Sequence, residues 1–223
     1  MNITACLLSW RRKYHLPEIC HHLLSVPEIG DVLVWQNESD GVLECLPDGV
    51  RVIHCPSNQY VYGRFLAALD ASTDAVFFQD DDLLVKNIPG LSRRYVELGG
   101  ETIVANLAQD RSSRHWSLWQ SKRPPWIELG FGSIVPVKAV HILREWPYDR
   151  ELLKRKADKI VTVLNPWEAV RAGEAEITRL FYKGKESGRD ANSLWLRSDH
   201  KPLNNEVIPL TLKWKSQIEE SRT

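Results

Sequence analysis

Ala75-Val76-Phe77-Phe78-Gln79 is an apolar run that climbs into Asp80-Asp81-Asp82 and turns apolar again at Leu83-Leu84-Val85. A short run of this kind, rich in Val and Phe, reads as a strand buried in a sheet. Three adjacent carboxylates at the mouth of such a strand repel one another and resist burial, so the fold has to bring a cation to them. Oxygen-only ligands at a strand end suit Mg²⁺ or Mn²⁺, which bind a few carboxylates and complete their shell from diphosphate and water. A solvated acidic loop is the plainer reading of an Asp triplet. The hydrophobic approach argues against it.

The same alternation runs through the first half of the chain. Ile3–Leu8 reads as a strand and Leu16–Leu24 as an amphipathic helix. Val32–Trp35 is a second strand and Val50–His54 a third, after the turn residues Pro47-Asp48-Gly49. Tyr62–Leu69 has helical spacing, and Ala75–Gln79 is the fourth strand. Strands alternating with helices predict a mostly parallel sheet covered on both faces, with ligands beyond the carboxyl ends of the strands. The residues that follow each strand are therefore the candidate site: Ser9 to Arg12, Asn37 to Ser39, Pro56 to Asn58, and Asp80 to Asp82. Further on, Thr102–Leu107 and Ile134–Val137 read as strands, and Val137–Glu145 and Arg150–Leu164 as helices. Glu168–Tyr182 is expected to contain another helix, while Ser193–Arg197 and Val207–Leu212 look strand-like. Gly130-Phe131-Gly132-Ser133 marks a place where a ligand or another backbone approaches closely.

Composition narrows the partners. The chain has 223 residues, with 29 basic and 29 acidic side chains. That length suits one domain, and the balance argues against a protein built mainly to hold nucleic acid or an anionic membrane. Cys6, Cys20, Cys45 and Cys55 lack CxxC spacing and read as reduced thiols. Met1–Trp10 is a short apolar strand followed by Arg11-Arg12-Lys13, the reverse of a signal peptide, and no run approaches the ~20 apolar residues of a membrane span. A soluble, cytoplasmic protein is the expectation. The chain carries nine tryptophans; they can stack on sugars or nucleotides, and a packed core uses them equally.

In their order, four stretches resemble the GT-A nucleotide-sugar glycosyltransferases, and more narrowly the exostosin-like α-N-acetylhexosaminyltransferases. They are Leu8-Ser9-Trp10-Arg11-Arg12, Val32-Leu33-Val34-Trp35-Gln36-Asn37, Ser57-Asn58 with Gly63-Arg64-Phe65, and Ala75 to Leu83. Ala157-Asp158-Lys159-Ile160 sits where that family has Glu-Asp-Ile, with Ala157 in place of the Glu. Gly63 likewise replaces an Asn. The resemblance implies an α/β GT-A (Rossmann-like) fold with a mixed C-terminal, acceptor-side region. Residues 1–110 would form the nucleotide-sugar half and residues 111–223 the acceptor half of one domain.

The activity so implied is metal-dependent transfer of a sugar, an N-acetylhexosamine, from a UDP-sugar to an acceptor hydroxyl of a saccharide or glycan, with retention. Mn²⁺ or Mg²⁺ would be held by Asp82 with Asp80 in support, and Asp81 would meet the ribose or the metal's water shell. Arg12 and Arg64 suit ribose or diphosphate, since a guanidinium fork matches phosphate oxygens. Asn37 and Asn58 could read base or ribose, although either alone is a common turn residue. By residue type Asp158, among Lys154, Arg155, Lys156 and Lys159, reads as a helical ion-pairing residue. The resemblance makes it catalytic. Arg197 is a candidate diphosphate clamp and His200 a weaker one in the same polar loop, while Trp116, Trp119 and Trp126 could stack acceptor sugars. A nucleotidyltransferase would want a Gly-rich loop after the first strand, and Leu7–Tyr14 contains no glycine. A nucleotide-sugar-binding module without turnover is the non-enzymatic alternative.

Overall fold

The computed structural model describes residues 1–38, 43, 45–106, 127–170, 175–182, 185–186 and 200–222. Its centre is a sheet of seven strands: β1 (Ile3–Ser9), β2 (Ile29–Gln36), β3 (Val50–His54), β4 (Ala75–Phe78), β6 (Ile103–Asn106), β7 (Ser133–Pro136) and β8 (Trp167–Val170), in spatial order β3-β2-β1-β4-β7-β6-β8. The short β5 (Leu83–Val85) lies outside it and pairs antiparallel with β9 (Ile177–Arg179); β10 (Phe181–Tyr182) and β11 (Lys185–Glu186) form a separate hairpin. Within the main sheet only β7 runs against its neighbours β4 and β6. The expected mostly parallel sheet is present.

Side-chain alternation along the strands divides the core in two. Ala5, Leu7, Val32, Val34 and Phe77 pack with helices α1 (Leu16–Ser25) and α3 (Ile88–Glu97) on one face. Cys6, Leu33, Val76 and Phe78 face α2 (Tyr62–Ala68), α4 (Val137–His141) and α5 (Arg150–Leu164) on the other. Helix α6 (His200–Glu220) lies against α5, with Val207 and Trp214 buried and Trp214 edge-on to Trp146 at 5.5 Å. The central strands β1 and β4 thus bury side chains on both faces, which explains their continuous apolar runs, while the edge strand β3 is only half-buried. Among the described residues no helix is long and apolar enough to cross a membrane.

Chain direction places the site. β1 is flanked by β2 and β4, so successive connections leave it in opposite directions, and in open α/β sheets a ligand crevice forms at such a point beyond the strand ends. Ser9, Gln36 and His54 line up along one edge through the β1–β2 and β2–β3 registers. Phe78 pairs with Cys6 and with Ser133, so the start of β7 and the Gly130–Gly132 turn stand at that same edge.

Several expectations need correction. No helix is present among the described residues of 168–182; Ile177–Arg179 is a strand because β5 gives it a partner 92 to 96 residues upstream, a pairing local spacing does not display. Val207–Leu212 belongs to a helix, where Val207, Thr211 and Trp214 recur at helical spacing on the buried side. His200 opens that helix instead of lying in a loop. Helix α3 was not expected at all, although Pro89 in its first turn and Ile88, Leu91 and Tyr95 on one face are ordinary helix signals. Ser193–Arg197, Arg197 itself, and Trp116, Trp119 and Trp126 lie outside the described residues.

Candidate functional site

At the end of β4 the three carboxylates separate to different partners. The Asp80 N–H donates to the carbonyl of Gly130 at 2.8 Å, and its carboxylate accepts from Arg64 Nη2 at 2.6 Å. Arg64 comes from α2 and is itself buried. Asp81 and Asp82 share one guanidinium: Arg12 Nη2 lies 2.8 Å from Asp81 and Nη1 lies 2.6 Å from Asp82. The loop after β1 reaches back this way because Arg11 takes a left-handed conformation, φ 61°, and the Arg12 N–H closes onto the Trp10 carbonyl at 2.7 Å. The Asp82 carbonyl accepts from Leu180 N–H at 2.9 Å, continuing the β5–β9 pairing into the acidic turn.

Among the described residues, three carboxyl groups meet two guanidiniums at contact distance. Burial pushes Asp81 up to about 8, with Asp82 and Asp80 adding to the rise against the pull of Arg12 and Arg64. Burial and Asp80 also raise Asp82, against Arg12 and the more distant Arg179. Burial on its own would weaken the Arg12 proton, yet Asp81 and Asp82 hold it well above the ordinary range. Two buried polar atoms nearby have no hydrogen-bond partner, Arg64 Nε and Gln79 Oε1. A divalent cation fits this set: three carboxyl groups gather here, the donors are oxygen, and the buried Gln79 Oε1 lacks a partner, while Arg64 Nε keeps an N–H for an anionic oxygen. Among the described residues no three His, Cys, Asp or Glu side chains gather into a closed cage. Mg²⁺ and Mn²⁺ bind in such open sites through one or two carboxylates, taking other ligands from water and substrate.

The two asparagines hold backbone. Asn37 Oδ1 accepts from Trp35 Nε1 and from Gln59 N–H, both at 2.9 Å, and Asn37 Nδ2 donates to the Tyr60 carbonyl at 3.1 Å. Asn58 Oδ1 accepts from Tyr60 N–H at 2.7 Å. Together they pin both polar backbone groups of Tyr60, whose φ of 48° is unusual for an aromatic residue. Its ring lies beneath Arg155 of α5, 4.7 Å from guanidinium carbon to ring centroid, and Arg155 donates to its hydroxyl at 3.2 Å. The contact joins the β3–α2 turn to the helix that carries Asp158.

Asp158 is partly exposed on α5, and its Oδ2 lies 3.7 Å from Lys159 Nζ. Lys159 is only 2% exposed and forms an ion pair with Glu128. Ala157, where the resemblance would put Glu, is fully buried in the core. The helix kinks one residue earlier, at Lys156 (φ −135°).

Sequence reasoning marked the Gly130–Gly132 stretch as a place of close approach without saying to what. A Cβ at Gly130 would stand 2.3 Å from Asp80 Oδ1, so the neighbour is the first carboxylate of the triplet. At Gly63 a Cβ would stand 2.4 Å from Trp35 Cδ1, which ties that glycine to packing of α2 on β2. Tyr60, Glu128, Lys159 and Arg179 were not singled out. Arg179 stacks on Phe131, 5.6 Å from ring centroid, and only the unforeseen β5–β9 pairing brings it near Asp82.

No family model matches the chain, and no curated protein matches it. Solved structures do. Residues 1–349 of S. aureus TarS in complex with UDP-GlcNAc superpose with a TM-score of 0.58 at 12% identity, covering 85% of this chain and 61% of that one. TarS 1–349 without a named ligand gives 0.55 at 13% identity, covering 76% and 58%. A mycobacterial protein gives 0.53 at 14% identity, covering 77% and 65%. The fold is of the GT-A type. This chain spans about six tenths of the length of the TarS 1–349 structures it matches.

Proposed function

We propose that the chain is a metal-dependent glycosyltransferase that moves a sugar, an N-acetylhexosamine, from a UDP-sugar to an acceptor hydroxyl with retention of configuration. The observation that carries this is the gathering of three carboxyl groups on two guanidiniums, among the described residues, beyond the end of β4 and beside β1. The fold likeness to TarS bound to UDP-GlcNAc supports the donor class. A divalent cation held there by Asp82 and Asp80 would offset charge growing on the diphosphate as the glycosidic bond breaks.

This chain's residues do the remaining work. Asp81 meets the ribose or the water shell of the cation. Arg12 and Arg64, already at the carboxylates, turn their remaining N–H groups to ribose and diphosphate oxygens. Asn37 and Asn58 fix the Tyr60 turn against which base and ribose lie. Asp158 faces the acceptor hydroxyl or the β face of the anomeric centre, and Arg197 closes on the diphosphate. Release of UDP from a panel of UDP-sugars with Mn²⁺ tests the reading: Asp82→Ala and Asp158→Ala should each lower turnover at least about 100-fold, as loss of an electrostatic or acid–base group does. Asp82→Ala should also weaken nucleotide binding. Turnover unchanged in both variants would overturn it.

A further inference from the structure

The structure assigns a positioning role to Lys159 and Glu128: their ion pair holds the turn that places Asp80, and so ties the donor-side carboxylates to the helix bearing Asp158. The chain of contacts is continuous. Lys159 projects from α5 with 2% exposure and pairs with Glu128, which begins the turn leading into the single-turn helix Leu129–Phe131. Leu129 is fully buried, and its carbonyl accepts from Ser133 Oγ at 3.0 Å, so the turn is anchored on β7 as well. Next comes Gly130, whose carbonyl takes the Asp80 N–H at 2.8 Å and whose missing side chain leaves the space filled by the Asp80 carboxylate. Asp80 then reaches Arg64.

A buried ammonium costs stability unless paired, and removing one partner leaves the other charge stranded. Lys159 answers two carboxylates, Glu128 at contact and Asp158 at 3.7 Å. An exposed lysine could neutralise Asp158 equally well. Burial adds fixed geometry: the ammonium cannot move without moving α5 or the turn. Asp80 and Asp158 come from β4 and α5, elements joined here through one turn. For its purpose the inference rests on the proposed glycosyl transfer, in which the two carboxylates serve opposite ends of the reacting bond.

Amide hydrogen exchange of the ligand-free protein tests the linkage, and Mn²⁺·UDP titration tests its consequence. In Lys159→Met the Asp80 amide should exchange at least about tenfold faster while Phe77, deeper in the same strand, keeps its protection. Mn²⁺·UDP affinity should fall about tenfold, and Lys159→Arg should recover most of both. Gly130→Ala should reproduce the affinity loss, and adding Lys159→Met to it should cost less than the two losses combined. Glu128→Gln, close in shape, serves if Lys159→Met does not fold. Unchanged Asp80 exchange in the charge-removing variant overturns the inference, whether or not the protein binds nucleotide. Faster exchange at Asp80 with no Mn²⁺·UDP binding by wild type sustains the linkage and removes the glycosyl-transfer reading instead.

Discussion

Arg12 serves two carboxyl groups at once, but burial, not that pairing, sets the site's pH behaviour. Asp81 is held near 8 in the fold, far above the ordinary Asp range, chiefly by burial. Between about pH 4 and 8 the folded protein therefore binds more protons than the unfolded chain, so stability falls as pH rises through that window. Without added metal, the melting temperature should drop from pH 6 to pH 8.5, and Mn²⁺ should restore more at pH 8.5 than at pH 6. A pH-independent effect of Mn²⁺ in differential scanning calorimetry contradicts this. Arg12→Gln strands two buried acids and should cost about 3 kcal/mol in urea unfolding at pH 8, and less at pH 5 where they protonate. An equal cost at both pH values argues against the pairing.

At the scale of elements, what the sequence made legible was what depends on local pattern. β3 and α5 begin and end where residue spacing put them, and β4 stops at Phe78, one residue short of the expected end, with the carboxylates just beyond Gln79. What stayed hidden depends on partners distant in the chain. Arg179 nears Asp82 through the β5–β9 pairing, and the buried Lys159 meets Glu128 from 31 residues upstream. Asn37 and Asn58 were recognisable as turn residues, while their joint hold on Tyr60 arises from the packing of β2 beside the following turn. Asn37→Ala removes the acceptor for two donors and should cost about 2 kcal/mol in thermal or urea unfolding. Trp214→Ala, on the α6 face packed against α5, should cost about 3 kcal/mol by loss of a buried aromatic. A cost under about 1 kcal/mol would mean α6 is not bound to the core as described.

For the whole molecule, the parallel strands end along one edge, and every described residue of the candidate site stands at that edge or on the helices facing it. Such an arrangement concentrates negative charge at a crevice while the chain as a whole carries no formal net charge. Attraction of a cation is therefore local and should persist at moderate salt, since partly buried charges are screened less than exposed ones. The central claim is that this crevice takes a divalent ion and a nucleoside diphosphate together. Isothermal titration of UDP into the protein, with and without Mn²⁺, tests it most directly. Binding that strengthens at least about tenfold with Mn²⁺, and loses that gain in Asp82→Ala, is the predicted result. UDP binding indifferent to Mn²⁺, or no binding in either condition, would contradict it.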